Sequence, residues 1–211
     1  MIIIILVSIL ISFWAYPKLP EETASHWNAK GEVDDYMPRF WGAFLMPVVS
    51  IGLFILFLVI PIIDPLKFNI EKFRKYFDWF IIIIFVFLFY IHMLTLSWGL
   101  GIRFNMSHMI TPAIGLLFLY AGLLVSKAKR NWFIGIRTPW TLSSDKVWDK
   151  THQLGGKLFM AAGIIAILSV LFPKISIWLV IVPILAVVIF TVIYSYILYR
   201  KEEKNKTRLK K

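Results

Sequence analysis

Residues 79–100 read WFIIIIFVFLFYIHMLTLSWGL. These 22 residues contain no Asp, Glu, Lys or Arg. A helix needs about 20 apolar residues to cross a hydrocarbon core of about 30 Å, so this stretch reads as a membrane span. Five further apolar runs flank it: Ile2–Tyr16, Phe40–Ile63, Met109–Ser126, Leu158–Phe172 and Ile175–Tyr199. The first is short, and no basic n-region or small-residue cleavage site marks it as a secretory signal, so it reads as an uncleaved span. The fifth lengthens to a full span if its helix starts upstream, near Ser144, with Lys157 snorkelling to the interface.

Composition agrees with the runs. Of the 211 residues 59% are hydrophobic and 17% charged, where a soluble domain carries about 25% charged residues. This excludes a soluble enzyme, a disordered chain and a globule that binds nucleic acid directly. There is no cysteine, which excludes disulfides, thiolate nucleophiles and cysteine-ligated metals.

The net charge of +11 follows the spans. Residues 64–78, 127–157 and 200–211 carry four, seven and seven Lys or Arg, whereas residues 17–39, the next connection and residues 173–175 carry three, one and one. Basic loops stay inside, so both termini are expected in the cytoplasm, and attraction to anionic membrane lipids comes with the charge. Trp14, Trp41, Trp98 and Trp178 then fall at outer span ends, as an aromatic belt requires. Within residues 64–78, Asp64 can cap a helix whose Leu66, Ile70, Phe73 and Phe77 share one face, which predicts one amphipathic helix on the inner leaflet. The fold class is therefore all-α and polytopic: six transmembrane helices, with an N-terminal half over residues 1–126 and a C-terminal half over residues 127–211. The tail from Arg200 reads as solvated and partly disordered.

Sites for chemistry are sparse. Ionisable groups at mid-depth mark proton relays and ion paths, and His92 stands alone there; a packing role beside Thr95 or Ser97 is the simpler reading. His26 and His108 with Asp34 offer a weak outer set of nitrogen and oxygen ligands, without HExxH-type spacing. Ser143, Ser144, Asp145 and His152 share a loop, but Asp145 and His152 lie about 10 Å apart along one helix. Ser144 suits an N-cap, and Asp145 suits a helix start. No cofactor is implied.

The most informative segment is residues 130–157. A loose linker would be Gly, Ser and charge. This one holds Trp132, Trp140 and Trp148, a Thr138–Pro139 turn and an isolated Arg137. It is expected to be ordered, with Arg137 tied to loop carbonyls or to Asp145 or Asp149. Trp140 with Lys146 and Lys150 offers an aromatic anchor with a basic rim, a composition suited to a partner. Gly155 with Ala162, and Gly156 with Gly163, recur seven apart and form a ridge for close helix packing.

Asn131, Gly135-x-Arg137-Thr138-Pro139-Trp140-Thr141-Leu142-Ser143-Ser144, Val147-Trp148 and Thr151-His152-x-x-Gly155-Gly156 closely resemble the motif of the SdpI-type membrane proteins. That family is named for an immunity protein against a peptide toxin with which sporulating bacteria kill siblings. Leu19-Pro20, His26-Trp27-Asn28, Gly31-Glu32, Asp34 and Tyr36 resemble the outer loop of the uncharacterised domain that commonly precedes the motif. The resemblance implies a six-span receptor that protects against a secreted toxin and tethers a soluble transcriptional repressor at the membrane. The motif loop would be its signalling surface.

Two classes of function compete. A non-enzymatic receptor or immunity protein needs an outer recognition surface, for which His26, Trp27, Asn28, Gly31 and Asp34 are the candidates; residues 17–39 have net charge −2, which suits a cationic peptide. A membrane-embedded peptidase or lipid-modifying enzyme needs converging acid, base or metal ligands, and only His26, His108 and Asp34 offer any. The first class is the reading the residues favour.

Overall fold

A computed structural model describes residues 1–209. Among these residues are eight α-helices and one β-hairpin: α1 (Ile2–Ala15), β1 (Glu22–Trp27), β2 (Val33–Pro38), α2 (Arg39–Ile63), α3 (Lys67–Glu71), α4 (Arg74–Gly99), α5 (Met106–Lys127), α6 (Pro139–Ser143), α7 (Asp145–Leu168) and α8 (Ser176–Leu209). Five of them, α2, α4, α5, α7 and α8, are long and apolar enough to cross a membrane. The sixth apolar segment, Ile2–Lys18, is shorter. Outward-facing side chains are strongly apolar: Ile3 is 76% exposed, Ile62 71% and Leu10 68%. Water does not tolerate such continuous surface; lipid does. The chain is a multi-pass membrane protein.

Ser144 starts α7, accepting the Val147 N–H at its hydroxyl, which gives the fifth span its full length. The small-residue ridge of α7 packs on α5. A Cβ on Gly156 would stand 2.6 Å from the Gly122 carbonyl oxygen, and one on Gly163 would stand 2.7 Å from that of Gly115. Gly115 and Gly122 are themselves seven apart, so the two backbones touch along matched rows, the geometry that small residues permit in lipid.

Three expectations are corrected. Residues 17–39, expected as an outer loop, hold a β-hairpin, while the other elements of the described chain are helices, as the all-α polytopic class expects. β1 and β2 pair antiparallel, with the register irregular around His26. Arg39 closes the hairpin base, its backbone N–H donating to Glu21 O and its Nε to Pro20 O. Residues 64–78 do not form one helix. The chain turns at Asp64, runs through the short α3 and restarts at Arg74 as α4, with Phe73 at the N-cap position. Ile70, Phe73 and Phe77 are each 1% exposed and join the protein core with Phe85 and Trp148, so this face packs inward on protein. The basic tail is helical as far as Leu209; Lys210 and Lys211 lie outside the described residues.

His92 packs as expected, but with other partners. Its Nε2 lies 3.1 Å from Ser12 Oγ and 3.3 Å from the Ser8 carbonyl, both on α1. Ser12 Oγ also donates to Ala43 O on α2. The group joins three helices, whereas Thr95 only bonds back to the His92 carbonyl.

Candidate functional site

Two polar surfaces close the bundle. The hairpin precedes α2, and Asp64 follows it. Twenty-five residues of helix at about 1.5 Å each place the two about 37 Å apart.

At the far end, Asp64 is 2% exposed. Its carboxylate accepts the Leu66 N–H on one oxygen and the Trp132 N–H on the other, so the end of α2 holds the start of the motif loop. Asn69 Nδ2 donates to the Arg130 carbonyl beside it. Asn131 is fully buried and satisfied on both sides. Its Oδ1 accepts the Phe133 and Ile134 N–H groups, and its Nδ2 donates to the Lys129 and Ile134 carbonyls. The loop is wound around this one amide.

Gly135 follows with φ +118°, a region open to glycine at little cost, and a Cβ there would collide with His152 Nε2. That nitrogen accepts the Ile136 N–H at 2.9 Å, and His152 Nδ1 donates to the Trp148 carbonyl at 2.9 Å. One ring nitrogen donates and the other accepts, so the imidazole is held neutral in a single tautomer. It stacks on Trp148 at 3.8 Å between centroids, and Trp148 Nε1 donates to Ala128 O. Thr138 and Thr141 form a reciprocal capping box that starts α6 at Pro139. Thr141 Oγ1 donates to Ile136 O, and Thr138 Oγ1 shares a 3.0 Å bond with Ser195 Oγ of α8. Ser144 Oγ donates to Glu202. Gly155 admits the loop: a Cβ there would meet Ile136 at 2.5 Å. Thr151 is fully buried on the same stripe.

Catalysis through Ser143, Ser144, Asp145 and His152 has no geometry here. Asp145 pairs with Arg130 at 2.7 Å, Ser144 caps α7, and both His152 nitrogens are engaged by backbone. Arg137 is tied to a loop carbonyl, its Nη1 donating to Trp132 O at 2.7 Å. The carboxylates it was matched to are paired elsewhere, Asp145 with Arg130 and Asp149 with Lys129. The side chain is exposed, so Arg137→Ala is expected to cost about 1 kcal/mol or less. A thermal melt checks this, and loss of folded protein would show that Arg137 carries the loop. Trp140 packs on Tyr196 of α8 at 5.1 Å, which anchors α6. Lys146 and Lys150 remain exposed and line a cleft of about 170 Å³ with Lys201, Glu202 and Asn205.

At the hairpin end, the turn is built by Asn28. Its Oδ1 accepts the Lys30 and Glu32 N–H groups, and Gly31 turns the chain at φ +82°. Asn105, which caps α5, donates to Lys30 O, so the turn rests on that helix. Trp27 packs edge-on against Trp98 at 5.8 Å. His26 Nδ1 bonds Asp34, but His108 does not join them: among the described residues no group of three His, Asp or Glu gathers as metal ligands. The ligand set of His26, His108 and Asp34 is therefore not formed.

Several site residues were not singled out from sequence: Asn69, Asn105, Arg130, Ser195 and Glu202. Asp64 was read only as a cap. Its position, a carboxylate ending a long apolar run, was the available signal.

Residues 127–195 match the SdpI/YfhL protein family, and residues 3–51 match a domain of unknown function, DUF1648. The chain is 28% identical over 201 residues to "Immunity protein SdpI" of Bacillus subtilis (strain 168), covering 95% of this chain and 94% of that protein. No solved structure matches the chain. The Asn131-wound loop and the α7 that receives it thus lie within the stretch that matches the SdpI/YfhL family, and the hairpin within the stretch that matches DUF1648, in a multi-pass membrane protein.

Proposed function

We propose that this chain is a non-enzymatic immunity protein of the cell membrane, which protects its host from a secreted antimicrobial peptide and reports its presence to a cytoplasmic repressor. The observation that carries the reading is similarity to an immunity protein along nearly the whole chain. The geometry supports it with an ordered polar surface at each end of the bundle. The hairpin is the toxin-facing surface. Glu32, Asp34, Asp35 and Tyr36 are exposed on it, an acidic and aromatic face suited to a cationic peptide. The loop end is the reporting surface, on the cytoplasmic side with both termini. Trp140 is committed to α8, so Lys146 and Lys150 carry the contact with the repressor.

Loss of function at either surface should not come from unfolding. The His26–Asp34 pair is exposed, at 66% and 43% for the two side chains, and such pairs contribute about 1 kcal/mol at most. His26→Ala and Asp34→Ala are expected to lower survival under toxin challenge and repressor recruitment together. The double variant Lys146→Glu, Lys150→Glu should keep survival while a fluorescent repressor leaves the membrane. Loop variants that stay folded yet lose protection as fully as the hairpin variants would overturn the two-surface reading.

A further inference from the structure

The motif loop does more than cover the bundle: it closes one end of a cavity of about 460 Å³, within the range of about 300–1,000 Å³ typical of ligand sites. Phe57 and Ile60 of α2 and Phe77 and Phe80 of α4 form one wall. Leu124 of α5, Phe159 of α7 and Val188 of α8 line it as well. Residues 133–138 supply the cap, and with them comes Arg137. Its guanidinium has one bond, to the Trp132 carbonyl, and is in none of the ion pairs among the described residues. Asp145 and Asp149 are paired with Arg130 and Lys129, and the Asp64 carboxylate accepts the Leu66 and Trp132 N–H groups.

We infer that this cavity holds one acyl chain of an anionic phospholipid, with Arg137 on the phosphate. Two observations commit the site to this occupant. Its walls are apolar side chains of membrane-crossing helices, joined by Thr191, whose hydroxyl is bonded back to Val188 O of its own helix, so the occupant's buried part is hydrocarbon. The cationic group stands at the end of the helices, where head groups lie, and a guanidinium matches phosphate in charge and fork geometry. A cationic peptide would meet this group with repulsion, and a zwitterionic lipid offsets part of the attraction with its own amine. Because α2, α4, α5, α7, α8 and the loop all touch the cavity, the lipid fastens the loop to helices from both ends of the sequence.

The test is native mass spectrometry of the full chain in detergent, titrated separately with phosphatidylglycerol and phosphatidylcholine. The unmodified protein is expected to retain one phosphatidylglycerol in preference to phosphatidylcholine by about tenfold, the scale of one charge-assisted contact. Arg137→Gln should erase the preference and leave residual retention of both lipids. Val188→Phe narrows the cavity from a side chain that is 43% exposed, so it should fold normally and weaken retention of both lipids. Arg103→Gln, at the hairpin end, should change neither. Equal retention of the two lipids by the unmodified protein, or an intact preference in Arg137→Gln, would overturn the assignment of the head group. Unchanged retention in Val188→Phe would overturn the cavity as the seat of the chain.

Discussion

Gly163→Leu is expected to abolish folded protein. A Cβ at this position would stand 2.6 Å from Leu119 N and 3.0 Å from its Cα, besides 2.7 Å from Gly115 O. All three are backbone atoms of α5, so no side chain can rotate away. Overpacking a core that can relax costs about 1–3 kcal/mol. Here relief requires separating two helices along the whole Gly115–Gly163 and Gly122–Gly156 contact, so the cost should exceed that range and approach the total stability of a domain, about 5–15 kcal/mol. Gly52→Leu is the matched control. Nothing lies within 4 Å of a Cβ there, and replacing a helical glycine gains up to about 1 kcal/mol. Size-exclusion profiles and melting temperatures in detergent read both variants. Monodisperse Gly163→Leu with an unaltered melt would show that α5 and α7 are not locked by backbone contact.

The second large effect is expected from Asn131→Ala. The substitution keeps the helices intact and removes four hydrogen bonds from a side chain that is 0% exposed. The orphaned loop amides and carbonyls cost about 1–3 kcal/mol each where water cannot reach them, so a total above about 3 kcal/mol should fall on this loop. Trp132 would lose its fixed approach to Asp64, and Ile136 its approach to His152. Hydrogen exchange over residues 130–144 is expected to rise while exchange within α4 and α8 stays slow. Protection unchanged across the loop would mean that Asp64 and the Thr138–Thr141 box hold it without Asn131. Arg137→Ala, a few residues away, should leave the same exchange pattern in place, because an exposed guanidinium with one bond organises little.

The membrane-spanning character of the chain was legible in the sequence. A run such as residues 79–100 has no alternative to a buried or lipid-facing helix, since nothing in it can satisfy water. Local capping at Ser144 was legible for a similar reason: its hydroxyl accepts the Val147 N–H three residues on, and chain proximity alone brings the two together. Order in the 130–157 loop could be read from its tryptophans and its turn residues, and the α7 ridge from the spacing of Gly155, Gly156, Ala162 and Gly163.

What the ridge packs against was a matter of tertiary structure. Gly115 and Gly122 are ordinary glycines in an apolar run until α5 is laid on α7. The hairpin was also hidden, because β1 and β2 are short, polar and irregular in register, so no alternating pattern announces them. Residues 64–78 carry a helical apolar stripe, yet Asp64 is drawn to Trp132 and Phe73 into the core, and those long-range contacts outweigh the local preference for one continuous helix. Arg137, Asp145 and Asp149 were matched by charge, but Arg130 and Lys129 stand closer to both acids. His92 found Ser8 and Ser12, 84 and 80 residues away in sequence. Pattern along the chain determines which faces must be buried and where helices begin. Which buried polar group meets which depends on distances between segments that adjoin only after the helices pack.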